Sequence, residues 1–410
     1  MRILIISNLY PPHFIGGYEL GCHAVAERLK SRGYEIRVLT STYGVGGASS
    51  EGEVYRWLEL DGGHETTHPF GEHALALLKR EARNQRAFRR AVRLSRPDLI
   101  YVWNMGQLSI SLAVQAERSG RRVCYFISDR WLARWEGDPW HQLWSSRFRH
   151  RLHRGGKRVL GALFGALGIV TSSSLALPHV HFVSDFLRRD AALAGKQPVR
   201  SEVIHWGVDV AQFPYRSCSG APAGRLLYVG QVTALKGFRT AVEALRLLVH
   251  DYGCPDVKLT VAGGSVTPDF MEEMRTLVDS HGLGKRVEFA GFIEHGNLPS
   301  VYAEHDILLF PSLFEEALTI TTLEAMACGV AVVSTATGGN PEVMRHEENA
   351  LTFPKGDARA CAEHVRRLLS DRALFERLRA NGRRTVEEGF EIEVMVDKLE
   401  RSLREQVGAR

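Results

Sequence analysis

The sequence predicts an α/β protein built from two Rossmann-like domains. Short β-branched runs alternate with longer helical patterns from end to end, which is typical of parallel sheets made of βαβ units. In chain order the strand-like runs are ILIIS, IRVLT, DLIYVW, VCYFIS, LLYVG, KLTVAG, ILLFPS and VAVVST. The pattern restarts after Ser184, and a length of 410 residues suits two domains of comparable size.

The boundary between the two predicted domains falls at a change of composition. VIHWGVDVAQFP is typical of a closing strand and turn, and RSCSGAPAGR shortly after it has the Ser, Gly and Pro content of a linker. We predict an N-terminal domain over residues 1–212, a C-terminal domain over 213–390 and a final helix over 391–410. Two such sheets facing across a cleft would bind ligands at the carboxyl ends of their strands.

The composition excludes several classes of protein. Hydrophobic residues make up 44% of the chain and charged residues 24%, as in a soluble globular protein. The six cysteines are scattered without a CxxC pair, so we expect neither a disulfide framework nor a zinc site, and a reducing cytoplasm. The start MRILIISNLY does not resemble a signal peptide, and the apolar run Val159–Val170 is much shorter than the ~20 residues that span a membrane.

Two segments hold much of the positive charge, in a chain with a formal net charge of +5. The segment KREARNQRAFRRAVR predicts a helix with one basic face. Its members are Lys79, Arg83, Arg86 and Arg90. Two interpretations stay open: solvated helix faces, or contact of Lys79–Arg93 and Arg147–Val170 with an anionic partner or the inner face of a membrane. We do not expect nucleic acid as a partner, because no known reader motif accompanies the charge.

Two loops between a predicted strand and a predicted helix contain groups that suit an anion. In SNLYPPHFIGGYELG, Gly16 and Gly17 precede a helix, where glycine lets backbone amides approach an anion closely. In LLYVGQVTALKGFRTAV, Lys236 would add a positive charge beside a helix N-terminus. Each has an ordinary alternative, a turn-forming glycine pair and an exposed loop lysine. Neither loop is a GxGxxG fingerprint, which argues against an NAD-dependent oxidoreductase.

The stretch EEALTITTLEAMACG places two carboxylates before a short helix and a third within it. One interpretation is structural: Thr321 and Glu324 would form a capping box at the helix start. That leaves Glu315 and Glu316 unexplained. Carboxylates accept hydrogen bonds from sugar and ribose hydroxyls, and amides at a helix N-terminus suit a phosphate. A nucleotide sugar is the ligand that would use both.

The longer stretch PSLFEEALTITTLEAMACGVAVVSTATGGNPEV resembles the Glu-x7-Glu signature region of glycosyltransferase family 4, whose members are retaining enzymes of the GT-B fold. Further resemblances, in the family's order, are NLYPPHFIGG, RPDLIYVWN, HFVSDFLRRD, VIHWGVDVAQF, LTVAGG, KRVEFAGFI and ENALTFPKGD. The resemblance covers nearly the whole chain and is strongest in the C-terminal half. It implies a GT-B fold whose final helix crosses back to the N-terminal domain.

The resemblance implies roles for residues at matching positions. Glu324 would bind the ribose hydroxyls, Glu316 the hydroxyls of the transferred sugar, and Lys236 the diphosphate. Backbone amides of residues 319–321 would hold the distal phosphate, and residues 291–293 would lie against the nucleobase. The implied catalytic residues are Glu316, Lys236 and Asp129. The implied donor-binding residues are Gly16, Gly17, Gln231, Lys236, Gly291, Phe292, Ile293, Glu316, Thr319, Ile320, Thr321 and Glu324.

Three positions depart from the family's usual pattern. Gln231 stands where an arginine commonly helps to bind the diphosphate, which puts half of the cationic contact in doubt. Ser128 precedes Asp129 where the family often has a histidine that touches the donor sugar. Thr319 replaces a frequent glycine of the phosphate-binding turn, which its amide tolerates if φ stays negative.

The expected activity is transfer of a sugar, of the hexosyltransferase type, from a nucleotide-diphosphate sugar to an acceptor hydroxyl with retention of configuration. We expect a UDP-sugar as the donor, with a GDP-sugar as the next candidate. Without a D-x-D motif, and with Lys236 and helix dipoles available, we expect no divalent metal and no cofactor. The alternatives are a catalytically silent nucleotide-sugar-binding module and a phosphorylase or epimerase of the same fold.

The acceptor is open at this stage. Four tryptophans of FISDRWLARWEGDPWHQLW could pack in a core or form a platform for a sugar: Trp131, Trp135, Trp140 and Trp144. With the basic segments they suggest an acceptor that is anionic, lipid-linked or presented at the inner membrane surface. We therefore expect a cytoplasmic enzyme of glycan, glycolipid or glycosylated-metabolite synthesis with peripheral membrane contact.

Overall fold

The computed structural model describes residues 1–61, 72–145, 151–171, 174–217, 221–265 and 267–408, which divide into two compact units. The N-terminal unit contains Met1–Ile204 and Val396–Arg410, and the C-terminal unit contains His205–Met395. The predicted α/β class with two Rossmann-like domains is confirmed. The division of the structure falls at 204/205 and 395/396. The domain limits at 212/213 and 390/391 remain predictions from the sequence.

The N-terminal unit contains one eight-stranded sheet. Its strands are β1 (Arg2–Ile6), β2 (Glu35–Ser41), β3 (Ser49–Glu51), β4 (Val54–Leu58), β5 (Leu99–Val102), β6 (Arg122–Ile127), β7 (Val180–Phe182) and β8 (Ser201–Val203). They lie in the order β3-β4-β2-β1-β5-β6-β7-β8. Neighbouring strands are parallel except β3 and β4, an antiparallel edge pair that turns at Gly52, where φ is +57°. The prediction of parallel sheets is therefore confirmed apart from this hairpin.

Six helices of this unit follow or connect its strands. They are α1 (Gly17–Ser31), α2 (Glu72–Ser95), α3 (Ile110–Glu117), α4 (Pro139–Ser145), α5 (Arg151–Ala166) and α6 (Asp185–Leu193). Local sequence explains where two of them begin. The Ser109 hydroxyl accepts from the Ser111 amide before α3, and the Ser184 hydroxyl accepts from the Leu187 amide before α6.

The predicted basic face of α2 is exposed at all four of its charged positions, Lys79, Arg83, Arg86 and Arg90. Arg83 pairs with Glu59 at 2.9 Å, and the Arg90 guanidinium lies 4.5 Å from the centre of the Trp57 ring. Of the second basic segment, residues 146–150 lie outside the described residues. Among the described residues, no helix has the length and apolar character that crossing a membrane requires.

The C-terminal unit contains a six-stranded sheet in which all neighbours are parallel. Its strands are β9 (Arg225–Val229), β10 (Lys258–Ala262), β11 (Val287–Gly291), β12 (Ile307–Phe310), β13 (Ala331–Thr335) and β14 (Leu351–Phe353). Their order is β11-β10-β9-β12-β13-β14. The direction of progression therefore reverses between β9 and β12, and a doubly wound sheet binds ligands beside such a reversal.

Helices cover the C-terminal sheet. They are α7 (Phe238–Arg246), α8 (Pro268–Ser280), α9 (Leu298–Glu304), α10 (Ile320–Ala327), α11 (Ala358–Ser370) and α12 (Arg372–Gly389). Fully buried strand residues such as Leu259 and Ile307 join one apolar core with Phe238 of α7 and Val365 of α11. Burial of these apolar side chains is the main force that holds the helices on the sheet.

The last helix, α13 (Ile392–Gly408), joins the N-terminal unit from Val396 onward. The Arg32 guanidinium donates to Asp397 at 2.6 Å and to Glu400 at 2.7 Å. On another side of the helix, the Ser402 hydroxyl is 2.8 Å from the Nε2 atom of the buried His181 in β7. The final helix thus adds both surface ion pairs and a buried polar contact to this unit.

Candidate functional site

The loops that follow β9 and β12 meet at the carboxyl edge of the C-terminal sheet. Gly237 ends the first loop and begins α7 with φ of +70°. A Cβ atom on Gly237 would lie 1.9 Å from the carbonyl oxygen of Pro311, which directly follows β12. Only glycine fits here, because both the backbone conformation and the close approach exclude a side chain. This contact brings Lys236 to the residues after β12.

Lys236 and Glu316 form an ion pair at this edge. The Lys236 ammonium donates to both carboxylate oxygens of Glu316, at 2.8 and 3.1 Å. The Ser312 hydroxyl donates to the same carboxylate at 2.6 Å. Glu316 is buried and Lys236 is about one-third exposed, so the pair presents a positive group towards solvent. The buried carboxylate has hydrogen-bond donors on both oxygens, as a buried charge requires.

Glu324 lies in α10, and each oxygen of its carboxylate accepts one hydrogen bond. The His295 ring donates to Oε1 at 2.6 Å, and the Tyr302 hydroxyl donates to Oε2 at 3.0 Å. The hydrogen bond to Glu324 raises the pKa of His295 above its ordinary value. The helix begins at Ile320 with Thr319 at its N-cap, so the alternative capping box of Thr321 and Glu324 is not formed.

Sequence reasoning missed His295 and Tyr302. Both lie beyond the predicted nucleobase segment, His295 in a short 3-10 helix and Tyr302 in α9. A polar partner for a buried carboxylate is required in general, but the sequence carries no spacing signal for a pair that lies 29 and 22 positions away. The pair links the segment after β11 to α10.

The start of α10 is organised by Asn340. The Thr319 amide donates to the Asn340 side-chain oxygen at 3.1 Å, and the Thr319 hydroxyl donates to it at 2.8 Å. The first amide predicted to hold a phosphate is therefore already bonded within the protein, while Ile320 and Thr321 follow it. Thr319 has φ of −93°, so its replacement of the family's glycine involves no backbone strain. Asn340 is a third residue that sequence reasoning missed.

Glu315 has a bracing role. Its carboxylate accepts from the Gly338 amide at 2.7 Å and from the Lys355 ammonium. Gly338 has φ of +59°, and a Cβ atom there would lie 1.9 Å from the carbonyl oxygen of Glu316. The turn after β13 therefore packs directly on the backbone of Glu316. Glu315 stabilises that turn, which explains the carboxylate that the capping alternative left over.

The remaining predicted donor-binding residues of this unit lie on two loops, which follow β11 and β9. Gly291 ends β11, and Phe292 and Ile293 follow it, with the Phe292 side chain 71% exposed. Gln231 is exposed in the loop after β9, and its carbonyl oxygen accepts from the Tyr228 hydroxyl at 2.8 Å. An exposed aromatic ring beside a buried carboxylate network is a surface on which a planar base can stack.

Three predicted residues belong to the N-terminal unit: Gly16, Gly17 and Asp129. Gly17 begins α1, and the Gly16 amide donates to the Glu19 carboxylate at 3.0 Å. Asp129 follows β6, accepts from the Trp131 amide at 2.9 Å, and has its pKa raised to about 6 by burial. Burial likewise raises the pKa of Glu19, an acid that sequence reasoning missed.

A pocket of about 230 Å³ lies at the carboxyl ends of β5 and β6, within the N-terminal unit. Trp131, Trp135 and Trp140 line it together with Asp138. Trp140 is fully buried and donates to the Val170 carbonyl at 3.1 Å, so it serves packing, whereas Trp131 and Trp135 are half-buried. The packing alternative therefore holds for Trp140, and a sugar platform at Trp131 and Trp135 stays a prediction.

Cys124, His179 and His181 form a buried cluster whose possible ligand atoms lie within 4.8 Å of one another. Their polar atoms already have partners within the protein, except that Nδ1 of His179 has none among the described residues. Tyr101 contacts His181 Nδ1 at 2.8 Å, and the Ser402 hydroxyl lies 3.1 Å from His179 Nε2. Through Ser402, this cluster forms the buried polar contact between α13 and the sheet. The expectation of a reaction without a metal remains a prediction.

Two family models match consecutive parts of the chain. The model described as "Glycosyltransferase Family 4" matches residues 15–212, and the one described as "Glycosyl transferases group 1" matches residues 222–385. The chain is 32% identical over 269 residues to a 2-deoxystreptamine N-acetyl-D-glucosaminyltransferase of Streptomyces fradiae, an alignment that covers 65% of this chain and 61% of that protein.

Solved structures show the same fold over the whole chain. Sucrose-phosphate synthase from Thermosynechococcus elongatus matches with a TM-score of 0.73 at 20% identity and covers 100% of both chains. HepE from Anabaena, in complex with UDP-glucose, matches with a TM-score of 0.69 at 19% identity and covers 98% of this chain and 99% of its own. The predicted GT-B fold class is confirmed. With two consecutive family models matched, the chain belongs to glycosyltransferase family 4.

Proposed function

We propose that the protein is a retaining glycosyltransferase that moves a sugar from a nucleotide-diphosphate sugar to an acceptor hydroxyl. The observation that carries this proposal is the Lys236–Glu316 pair at the strand reversal, beside the N-terminus of α10. One positive group, one buried carboxylate and a helix N-terminus within a single loop cluster are what a sugar diphosphate needs.

The proposed donor pose uses each group in turn. The sugar hydroxyls donate to Glu316, the diphosphate lies at Lys236 and the amides of Ile320 and Thr321, and the ribose hydroxyls donate to Glu324. His295 and Tyr302 hold the Glu324 carboxylate in place, so a ribose would join or displace a preformed hydrogen-bond network. The base would stack near Phe292, which is exposed.

UDP is the proposed donor nucleotide, with GDP as the next candidate. Support comes from HepE, a neighbour in fold that was solved with UDP-glucose. The contacts predicted for the base are largely with the backbone of residues 291–293, which would read the base edge through amides and carbonyls. A panel of UDP-, GDP-, dTDP- and ADP-sugars in thermal-shift measurements names the donor by the largest rise in melting temperature.

The proposed reaction breaks the bond between the anomeric carbon and the diphosphate oxygen, with both electrons leaving on the nucleoside diphosphate. The acceptor oxygen attacks the same face, and its proton passes to a diphosphate oxygen. Most of the catalysis is then stabilisation of the departing negative charge, which Lys236 and the α10 N-terminus supply. We propose that no metal takes part, and unchanged turnover in EDTA is the expected result.

The acceptor is proposed to bind in the tryptophan-lined pocket of the N-terminal unit, where Trp131 and Trp135 are half-buried lining residues. An anionic or lipid-linked acceptor in the cytoplasm, with peripheral contact through Lys79–Arg93 and Arg147–Val170, remains part of the proposal. Co-sedimentation with anionic vesicles at low salt checks the membrane contact, and failure to sediment argues against it.

Donor turnover tests the proposal most directly. Glu316→Gln and Glu324→Gln should each reduce release of the nucleoside diphosphate, and Glu272→Gln, an exposed carboxylate of α8, is the matched control. Loss in the first two with no loss in the control supports the proposed roles. Binding without turnover in the native chain would favour the silent module, and turnover that requires free phosphate would favour the phosphorylase.

A further inference from the structure

A groove lined by arginines lies on the N-terminal unit, away from the residues assigned to the donor. Its volume is about 590 Å³, within the range of about 300–1,000 Å³ typical of small-molecule pockets. Five arginines line it: Arg89, Arg93, Arg96, Arg118 and Arg121. Among the lining residues that the structure describes there is no carboxylate. We refer to these five residues and the space between them as the arginine groove.

The topology places the arginine groove at the amino ends of the strands. Arg96 lies between α2 and β5, and Arg118 and Arg121 lie between α3 and β6. β5 and β6 are neighbours, so these two connections run side by side. Substrates of such sheets bind at the opposite, carboxyl edge. The groove is therefore separate from the tryptophan-lined pocket, which uses the carboxyl ends of the same two strands.

Four of the five guanidinium groups are available to a ligand. Arg93, Arg96, Arg118 and Arg121 are exposed, and within the described part of the chain no carboxylate forms an ion pair with them. Arg89 is half-buried and donates to the Gly168 carbonyl at 2.6 Å, which fixes one wall of the groove. Burial, followed by the charges of Arg86 and Arg93, lowers the pKa of Arg89.

The acidic residues nearest in sequence are used elsewhere. Glu117 accepts from the Tyr125 hydroxyl at 2.8 Å and from the Leu177 amide at 2.9 Å. Asp98 pairs with Arg2 at 2.8 Å. Both carboxylates therefore bond other groups of the unit. Neither of them neutralises the positive charge of the arginine groove. A bound anion would relieve this like-charge repulsion.

The base of the groove consists of buried residues that are held by hydrogen bonds. Phe88 and Val170 are buried beneath it, and the Val170 backbone exchanges two hydrogen bonds with the Gln85 side chain, at 2.6 and 3.1 Å. Guanidinium groups around an apolar floor suit phosphate, because the planar fork of each arginine matches two phosphate oxygens. Three such groups on two adjacent connections, with Arg93 at the end of α2, suit a ligand with more than one phosphate.

We propose that the arginine groove binds a phosphate-bearing polyanion. The chemistry is shared by two sources, a soluble oligophosphate and the headgroups of anionic lipids, and the same groove would serve either. The proposal does not depend on the proposed transfer reaction, because none of its residues is assigned to the donor or lines the tryptophan-lined pocket. Arg89 and Arg93 do belong to the Lys79–Arg93 segment proposed for membrane contact.

Calorimetric titration with inorganic tripolyphosphate at fixed ionic strength tests the proposal. Arg118→Gln with Arg121→Gln should weaken tripolyphosphate binding at least about tenfold, because two charge-assisted hydrogen-bond donors are lost. The control is Arg372→Gln with Arg384→Gln, which removes the same charge from exposed positions of α12. Lys236→Met separates binding at the donor position, and it should leave the groove's affinity unchanged.

Flotation with phosphatidylcholine vesicles that contain one-quarter phosphatidylglycerol distinguishes the two sources. Vesicle binding that the groove variant loses and tripolyphosphate competes away assigns the lipid headgroup. Tripolyphosphate binding that the groove variant loses, without vesicle binding, assigns a soluble oligophosphate. Equal loss in the α12 control, or binding of neither probe by the native chain, would overturn the proposal.

Discussion

The ammonium of Lys236 is the clearest single point of control at the residue scale. Lys236→Met should lower kcat/KM for donor turnover by about 10²- to 10³-fold, the usual effect of removing one group that stabilises developing charge. Of the hydrogen bonds to the Glu316 carboxylate in the described residues, the variant would keep only the one from the Ser312 hydroxyl. Steady-state kinetics with the donor found by thermal shift measures the effect.

Lys355→Met is the matched control for that experiment. Lys355 also pairs with a glutamate of the same segment, Glu315, but at a more exposed position. A loss of only a few-fold is expected there. If both lysine variants lost activity equally, the general charge of the segment and not the position of Lys236 would be responsible.

The pair of His295 and Glu324 predicts a pH-dependent stability. Because the hydrogen bond to Glu324 raises the pKa of His295 in the folded chain, folding favours the protonated ring. The stabilisation is fully present below the ordinary histidine pKa of about 6.5, and it is lost as the pH rises through the raised value. The difference in melting temperature between native chain and His295→Gln should therefore be larger at pH 6 than at pH 9.

His250→Gln serves as the control, since the His250 ring bonds a carbonyl oxygen of His281 and is exposed. Its effect on the melting temperature should show no comparable decline over the same pH range. A difference for His295→Gln that stays constant with pH would contradict the assigned ion pair.

The sequence alone predicted part of the candidate donor site. The two carboxylates of the Glu-x7-Glu region, and Lys236, carry a recognisable spacing, and the structure brings Lys236 onto Glu316. His295, Tyr302 and Asn340 escaped prediction because each contacts its partner through the tertiary fold, at separations that vary with loop length. Local patterns report neighbours along one helix or strand and not such contacts.

At the scale of elements, the turn after β13 offers a comparison of two glycines. Gly338→Ala places a Cβ atom 1.9 Å from the Glu316 carbonyl in addition to its positive φ, whereas Gly291→Ala at φ of +74° meets nothing within 4 Å. The left-handed conformation alone costs roughly 1–2 kcal/mol for an alanine. Gly338→Ala should therefore lower the free energy of unfolding in urea clearly more than Gly291→Ala. Equal losses would mean that the turn moves aside freely.

The start of α10 gives a second prediction at this scale. Asn340→Ala removes the acceptor for both polar groups of Thr319, and a buried donor left unsatisfied costs about 1–3 kcal/mol. Urea unfolding should show a loss in that range. Thr319→Val removes only the hydroxyl contact and should cost less, and the reverse order would argue against Asn340 as the organiser of this helix end.

The elements themselves were largely predictable, because short continuous β-branched runs alternate with longer helical patterns in this sequence. The exception is the antiparallel hairpin of β3 and β4: the run SSE is short and polar, and VYRWL, although apolar apart from Arg56, was not recognised as a strand. The start of α10 was also misplaced in the capping alternative, since Thr319 and not Thr321 occupies the N-cap. Element ends depend on single hydrogen bonds, which sequence patterns resolve poorly.

At the scale of the whole molecule, ligand protection by UDP should be greatest in the C-terminal unit. The proposed donor contacts after β9, after β11 and in α10 all belong to His205–Met395. Saturating UDP at 100 times its dissociation constant stabilises the unit that binds it by about 2.7 kcal/mol. Hydrogen exchange should therefore slow near residues 291–295 and 319–324, with tripolyphosphate acting instead near residues 89–121. Protection by UDP only in the N-terminal unit would contradict the donor assignment.

The contact of α13 with His179 and His181 has a consequence for the folding of the chain during its synthesis. Ser402 supplies the hydroxyl that His179 and His181 contact, although more than 200 residues separate it from both. Domains generally fold in the order in which they leave the ribosome. Residues 1–204 therefore reach their complete set of contacts only after residues 396–408 have been translated, because the Ser402 hydroxyl is one of the partners of these two imidazoles. The contiguous C-terminal unit can be complete before then, so nascent chains should acquire protease resistance in the second half first.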